Sequence, residues 1–270
     1  MLTFNADGMV VQRYAFKDPV IDYILKNVKP VHLIKLYQCC KYFYAKFRRN
    51  VIRHLEIFDD DNEAETLDPT NCVITAWNPA LLTFKDCWIT DSFKSNARIL
   101  LLPEFSHCYI KKLESLNGIG WSEYKTLTKA KTIEELNIAE CYFFPVGYGT
   151  LLYAPVENVV AEVPNAKSLE ISKAHFTEES CEALLSVNHN VKISKFVLRN
   201  ITPYRLYKFQ LFKEFILKNA EPECHVHLDF KLFKYEASQN ANEYLLQLGR
   251  QYTEEIKSAL EMKKIFESMP

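Results

Sequence analysis

Thr132-Ile133-Glu134-Glu135-Leu136-Asn137-Ile138-Ala139-Glu140-Cys141 carries an apolar-x-apolar triplet, Leu136-Asn137-Ile138, followed by polar residues. The triplet comes back 33 residues later as Leu169-Glu170-Ile171, with Ser172-Lys173-Ala174 behind it. It follows 27 residues on as Phe196-Val197-Leu198, and 32 beyond that as Leu228-Asp229-Phe230. Such a triplet sends its outer side chains to one face of a strand and its middle one to the other. Helical patterns lie between the triplets. Thr177-Glu178-Glu179 caps Ser180 to Val187, where Cys181, Leu184 and Leu185 share a side. Pro203 opens Tyr204 to Lys218, with Leu211, Phe212, Phe215 and Ile216 apolar. Strand, helix and strand again predict an α/β array with parallel strands, since parallel neighbours need a crossover between them. Thr132-Ile133-Glu134-Glu135 also fits a helix capping box; in the repeat it is the turn entering the strand at Leu136. A non-repeat α/β or α+β domain is the alternative.

Outward from the triplets, Cys72-Val73-Ile74-Thr75, Leu82-Thr83-Phe84 and Ile99-Leu100-Leu101-Leu102 read as further strands. The acidic stretch Asp59-Asp60-Asp61-Asn62-Glu63 to Glu65 reads as a solvated linker, because it lacks the Gly turn of a calcium loop. From Glu236 to Glu267 the pattern predicts one or two helices, with Leu245, Leu248, Tyr252, Ile256, Ala259 and Leu260 on one face. A cap over the last unit explains that face, and an oligomerisation helix is the other reading. Gly249 weakens a long helix by about 1 kcal/mol without forbidding it.

At the other end, Asp18-Pro19 suits a helix start, Asp as cap and Pro at the first helical position. Val20, Ile21, Ile24, Leu25 and Val28 follow at helical spacing. Lys29-Pro30 ends that helix and begins another, with Leu33, Leu36, Tyr37 and Cys40 in phase and Phe43, Phe47 and Val51 after them. Two or three short helices cannot bury their own apolar surface. They must pack on the next domain, on a partner, or on both.

Phe16, Val20-Ile21, Ile24-Leu25, Pro30, Leu33, Leu36, Cys39-Cys40 and Phe43 fall in the order of an F-box, and the stretch resembles the F-box variants expanded in nematodes. Lys17 stands where that family usually has Pro, with Pro19 two residues on; Phe43 stands for the usual Trp and loses its indole donor. The strand–helix units resemble irregular leucine-rich repeats, although the usual Asn after the triplet is not kept. These resemblances divide the chain into an F-box-like helical module (12–55), a leucine-rich-repeat-like α/β array (56–235) and a C-terminal helical cap (236–270). They imply a substrate-recognition subunit of an SCF-type cullin-RING ubiquitin ligase, with no catalytic site of its own. Its implied partners are the ligase adaptor and a protein substrate. The adaptor contact implied is Phe16, Pro19, Val20, Ile21, Ile24, Leu25, Pro30, Leu33, Leu36, Cys40 and Phe43. The repeat resemblance implies a ligand at Asn137, Glu170 and their equivalents, or at loops around Tyr142-Phe143-Phe144 and Tyr148. A non-catalytic scaffold whose helices dock only on its own array, and an enzyme with a dispersed site, are the alternatives.

Composition agrees with a receptor and excludes several other classes. A net charge of −1 gives no pull toward nucleic acid or anionic lipid. The 6 glycines form no phosphate loop. Met1 to Asp7 carries no charged leader with an apolar run, and no apolar stretch reaches membrane-spanning length, so a cytoplasmic or nuclear location is expected. The 8 cysteines form no CxxC pair and read as reduced thiols. Cys224-His225-Val226-His227 puts two His on one strand face, short of the ligands a closed zinc site needs. His107 and Cys108 point apart on a strand, so no base reaches that thiol. Tyr204 to Phe209 mixes basic and aromatic residues at helical spacing and reads as a half-buried helix. No cofactor and no metal are expected.

Overall fold

A computed structural model describes residues 17–28, 30–39, 43, 51–59, 65–68, 71–98, 101–103, 105, 107–143, 152–201, 208–230 and 239–268. Two short helices, α1 (Asp18–Asn27) and α2 (Pro30–Cys39), come first. The strands are β1 (Val51–Phe58), β2 (Thr66–Leu67), β3 (Asn71–Thr75), β4 (Trp88–Ser95), β5 (His107–Ser115), β6 (Ile119–Gly120), β7 (Glu135–Ile138), β8 (Cys141–Phe143), β9 (Leu152–Tyr153), β10 (Ser168–Ile171), β11 (Ile193–Ile201) and β12 (Ala220–Phe230). Helices α3 (Trp121–Thr128), α4 (Val156–Ala161), α5 (Ser180–Ser186), α6 (Phe209–Asn219) and α7 (Gln239–Glu267) lie among and after them.

The fold is mixed α/β around one large, mainly parallel sheet in the order β12-β11-β10-β7-β5-β4-β1-β3-β2, where only the β2–β3 pair is antiparallel. From β4 to β12 the order in space follows the order in sequence, so each unit lays its strand beside the one before. The small sheet β6-β8-β9 sits apart from this progression.

The triplets align across the ladders. Leu136, Leu169 and Phe196 are register partners, as are Asn137, Glu170 and Val197, and then Ile138, Ile171 and Leu198. The rows extend toward the N-terminus through Leu113-Glu114-Ser115, Phe93-Lys94-Ser95, Leu55-Glu56-Ile57 and Cys72-Val73-Ile74. At the other end Phe196 meets Val226, so Val226-His227-Leu228 completes the rows, two residues before the triplet expected from the pattern. Alternation repeats every second residue and cannot distinguish registers that differ by two.

The outer residues of the triplets form the main core with α3 to α7. Tyr124, Val160, Leu184, Phe212, Phe215 and Ile256 from those helices are fully buried against Leu113, Ile138, Leu169 and Phe196. A second, smaller cluster lies on the opposite face. Val51 and Trp88 pair across β1 and β4, while their neighbours Ile52 and Ile89 belong to the main core. By strand alternation Val51 and Trp88 therefore point the other way, and there α1 and α2 cover them through Ile21, Leu33 and Tyr37, with Phe43 beside them.

Several local expectations are corrected. Leu82-Thr83-Phe84 lies in a 3₁₀ helix, Pro79–Asp86, set by Asn78, whose side chain accepts from the Ala80 N–H at 2.9 Å. Leu101 and Leu102 are outside any strand, and Ile99 and Leu100 lie outside the described residues. Val51 opens β1 instead of continuing a helical face, since it is wanted under the module; Phe47 lies outside the described residues. The cap of α1 is Lys17, with Asp18 and Pro19 as its first helical residues. Thr177 precedes α5 without capping it: the Ser180 hydroxyl accepts from the Thr177 N–H at 2.8 Å, and Glu179 is the cap residue. Pro203 to Tyr207 lie outside the described residues, and α6 begins at Phe209. The ends of the acidic stretch are tied down. Asp59 accepts from the Arg98 N–H at 2.7 Å. Glu65 accepts from the Thr75 N–H and hydroxyl and from Asn78 at 2.7–2.9 Å, and these bonds, that of the Thr75 N–H first, hold its carboxyl below the usual range. Residues 60–64 lie outside the described residues.

The connection from α5 into β11 contains a pH-sensitive residue. His189 places Nε2 2.7 Å from the Ala166 carbonyl oxygen, so Nε2 carries the proton and donates. Burial disfavours the imidazolium and lowers the pKa from 6.5, against the smaller opposing pull of that carbonyl. The unfolded chain then binds the extra proton first. Stability is whole above about pH 6.5 and is lost as pH falls from there toward the folded-state value. Burial lowers the His227 pKa in the same sense. Urea unfolding at pH 7.5 and 5.5 is expected to give a smaller acid loss in His189→Gln than in the wild type; equal losses would refute the assignment.

Candidate functional site

The helical module carries the first candidate surface. Its predicted adaptor residues separate by side. Ile21, Leu33 and Phe43 are buried in the small cluster with Val51 and Trp88, and Leu36 is half-buried against it. Pro19 and Val20 face solvent, with Val20 44% exposed, and Ile24 is half-buried. Leu25 lies within α1 and Pro30 opens α2, as the spacing predicts. Phe16 and Cys40 lie outside the described residues. Tyr23, 69% exposed and one turn from Val20, was missing from the predicted set. Val20, Tyr23 and Asn27 share the outer side of α1, where the Asn27 side-chain amide donates to the Tyr23 carbonyl at 2.7 Å. The missed signal was the i, i+3 partnership of an aromatic with Val20.

The second candidate is the open side of the large sheet, where the middle residues of the triplets emerge. Asn137 and Glu170 lie side by side there, as expected. Their equivalents are Glu56, Lys94, Glu114, Val197 and His227. Charges pair across the strands. Lys94 Nζ lies 2.5 Å from Glu56, and Lys112 lies 3.8 Å from Glu114 and 3.7 Å from Glu135. Glu170 accepts from both Lys195 at 2.7 Å and Arg199 at 2.9 Å. Its surroundings hold its carboxyl low although burial, the largest single influence, pushes the other way. Leu55-Glu56-Ile57 was readable as one more triplet. Phe93-Lys94-Ser95 and Leu113-Glu114-Ser115 were not, because each closes on a serine.

Tyr142 and Phe143 form β8, and Tyr142 is buried; Phe144 and Tyr148 lie outside the described residues. Phe143 packs on Trp121, with ring centroids 5.5 Å apart, so this part of the expected loop site supports the small sheet.

Burial keeps the thiols of the core chemically quiet. Cys72, Cys87, Cys108, Cys141, Cys181 and Cys224 are buried and unbridged, and Cys39 is exposed. Burial pushes the Cys108, Cys141 and Cys224 thiols up to about 12, so each stays protonated near neutrality. Cys108 Sγ faces the Leu127 carbonyl at 3.6 Å, while His107 lies against the Trp88 ring with centroids 4.3 Å apart. Cys224 and Val226 are buried and His225 and His227 emerge, the alternation the sequence predicts. Among the described residues no cluster of three or more His, Cys, Asp or Glu could hold a metal ion. None of the described helices is long and apolar enough to cross a membrane. Compared with known proteins, the chain matches no family model and no curated protein.

Proposed function

We propose that the chain is a substrate-recognition subunit of a cullin-RING ligase of the SCF type. The F-box-like helices dock on the ligase adaptor, and an array resembling irregular leucine-rich repeats presents its open face to a protein target. One observation carries the reading: α1 turns Ile21 inward while Val20 and Tyr23 remain uncovered on its outer side. A helix so divided is held by its own domain and still has an apolar stripe to give to a partner. The strand order that follows the chain, with Glu56, Lys94, Glu114, Asn137, Glu170 and His227 in one row, supports the receptor half. The protein then supplies proximity, and other subunits transfer ubiquitin.

Capture by immobilised purified adaptor tests the reading. Wild-type chain is expected to be retained. Val20→Asp and Tyr23→Asp are each expected to weaken retention about tenfold or more, since burying one such side chain is worth about 1.5–3 kcal/mol. Both sites are exposed, so thermal unfolding should stay unchanged. Absence of wild-type capture would sink the proposal. It would favour the scaffold reading, which the burial of Ile21, Leu33 and Phe43 against the chain's own sheet also supports.

A further inference from the structure

Helix α7 covers the array with one stripe and leaves another bare. Leu245, Ile256 and Leu260 belong to the main core, and Leu260 is the last buried residue of α7 among those described. Beyond it the helix continues to Glu267. Two lysines moor this end. Lys263 Nζ donates to the Leu217 carbonyl in the last turn of α6 at 2.7 Å, and Lys264 pairs with Glu223 of β12. The moorings take one side of the helix. Met262, Ile265 and Phe266 emerge on the other, 55%, 54% and 66% exposed. Beside them lies a groove of about 710 Å³, walled by Lys213 of α6 and by Ser258, Ala259, Met262 and Phe266 of α7. Its charges are matched within the chain: Lys213 pairs with Glu255 at 2.8 Å, and Lys263 lies 3.8 Å from Glu267. A polyanion or an anionic membrane is therefore not drawn to it.

The order of sizes along the bare stripe points to what covers it. Ser258 and Ala259 lie one turn before Met262, and Ile265 and Phe266 one turn after it. A two-fold axis at Met262 exchanges the two sets. We propose that a second copy of this chain docks here, the two α7 ends running antiparallel. Met262 then meets its equivalent, Phe266 of each copy stands opposite Ala259 of the other, and Ile265 stands opposite Ser258. Large side chains face small ones, and each Phe266 ring enters the other copy's groove between Ala259 and the aliphatic stem of Lys213. A parallel pairing would set Phe266 on Phe266 and leave gaps at Ser258 and Ala259. Glu261, about a quarter turn round from Met262, stays at the rim, where solvent screens it from its equivalent. From Ser258 to Phe266 the contact spans roughly 12 Å of helix. That is short of the ~800 Å² per partner of a standard interface, so the dimer is weak and depends on concentration. The groove lies on the helix side of the sheet, away from α1 and α2, and the inference is independent of the ligase reading.

Sedimentation equilibrium of the full chain between about 5 and about 300 μM tests this, since small interfaces dissociate in that range. A reversible monomer–dimer equilibrium is expected for the wild type. A two-fold contact feels each substitution twice, so Met262→Glu and Phe266→Ala should each weaken association about tenfold or more. Both side chains are exposed, so the unfolding curves should not shift. Leu246→Gln, at an exposed site roughly four turns back along α7, and Val20→Asp on α1 should associate as the wild type does. Cross-linking reports the geometry. Mild oxidation of Met262→Cys should give a disulfide-linked dimer well above the background of the wild type, which carries exposed Cys39. A wild type monomeric at every concentration would overturn the proposal. So would undiminished association of Met262→Glu, an equal loss in Leu246→Gln or Val20→Asp, or no cross-link above background in Met262→Cys.

Discussion

Replacing Trp88 by Ala should release the N-terminal helices from the sheet, at a cost of about 3–5 kcal/mol for an emptied Trp site. Trp88 is 2% exposed and forms the floor of the small cluster, under Ile21, Leu33, Tyr37 and Phe43. His107 and Tyr109 pack along its other side, with centroids 4.3 and 6.4 Å away. No residue of the main core belongs to this cluster, so the loss should fall on the module and spare the array. Limited trypsin digestion is the measurement. Cleavage at Lys35 on α2 should accelerate strongly in Trp88→Ala while the fragment containing β1 to α7 persists. Unchanged protection of Lys35 would refute the arrangement. Adaptor capture should weaken in the same variant although Trp88 is itself buried, because Val20 and Tyr23 would no longer be presented on a fixed helix.

Substituting Gly249 should destabilise the chain, the reverse of what a mid-helix glycine ordinarily predicts. Gly→Ala inside a helix usually gains about 1 kcal/mol. Here a Cβ on residue 249 would lie 2.8 Å from the Leu228 carbonyl oxygen and 3.1 Å from a ring carbon of Phe230. The carbonyl cannot move away, because the N–H of the same residue donates to Thr253 Oγ1 at 3.1 Å one turn along α7. Gly249→Val is expected to cost about 3 kcal/mol, the upper end for overpacking, and Gly249→Ala less with the same sign. Urea midpoints decide it: a rise in either variant would show that α7 does not lie this close to β12.

The same residues mark how far sequence could be read. The phase of Leu136-Asn137-Ile138 and its successors was legible, because burial on one face imposes alternation. The register of β12 was not, since its eleven residues keep that alternation over several possible triplets. The rows through β4 and β5 were hidden because Ser95 and Ser115 are polar yet fully buried. Local bonds explain them: Ser95 Oγ accepts from the Ala97 N–H at 3.2 Å and Ser115 Oγ donates to the Gly118 carbonyl at 2.7 Å. In the module, helical spacing revealed an apolar surface but not its inner side. Ile21 is inside and Val20 outside because Trp88, far along the chain, supplies what Ile21 packs on.

A sheet that grows by laying each new strand beside the last has no internal rule for stopping. Its final strand is as good a template for another as every strand before it was. In this chain β12 holds that position, and α7 runs along its free edge closely enough to take up the Leu228 N–H with a threonine hydroxyl and to leave no room for a side chain at 249. The long C-terminal helix is thus a terminator in the polymer chemist's sense. It consumes the growing end, and the finite length of the array is written into one hydroxyl and one missing methyl group.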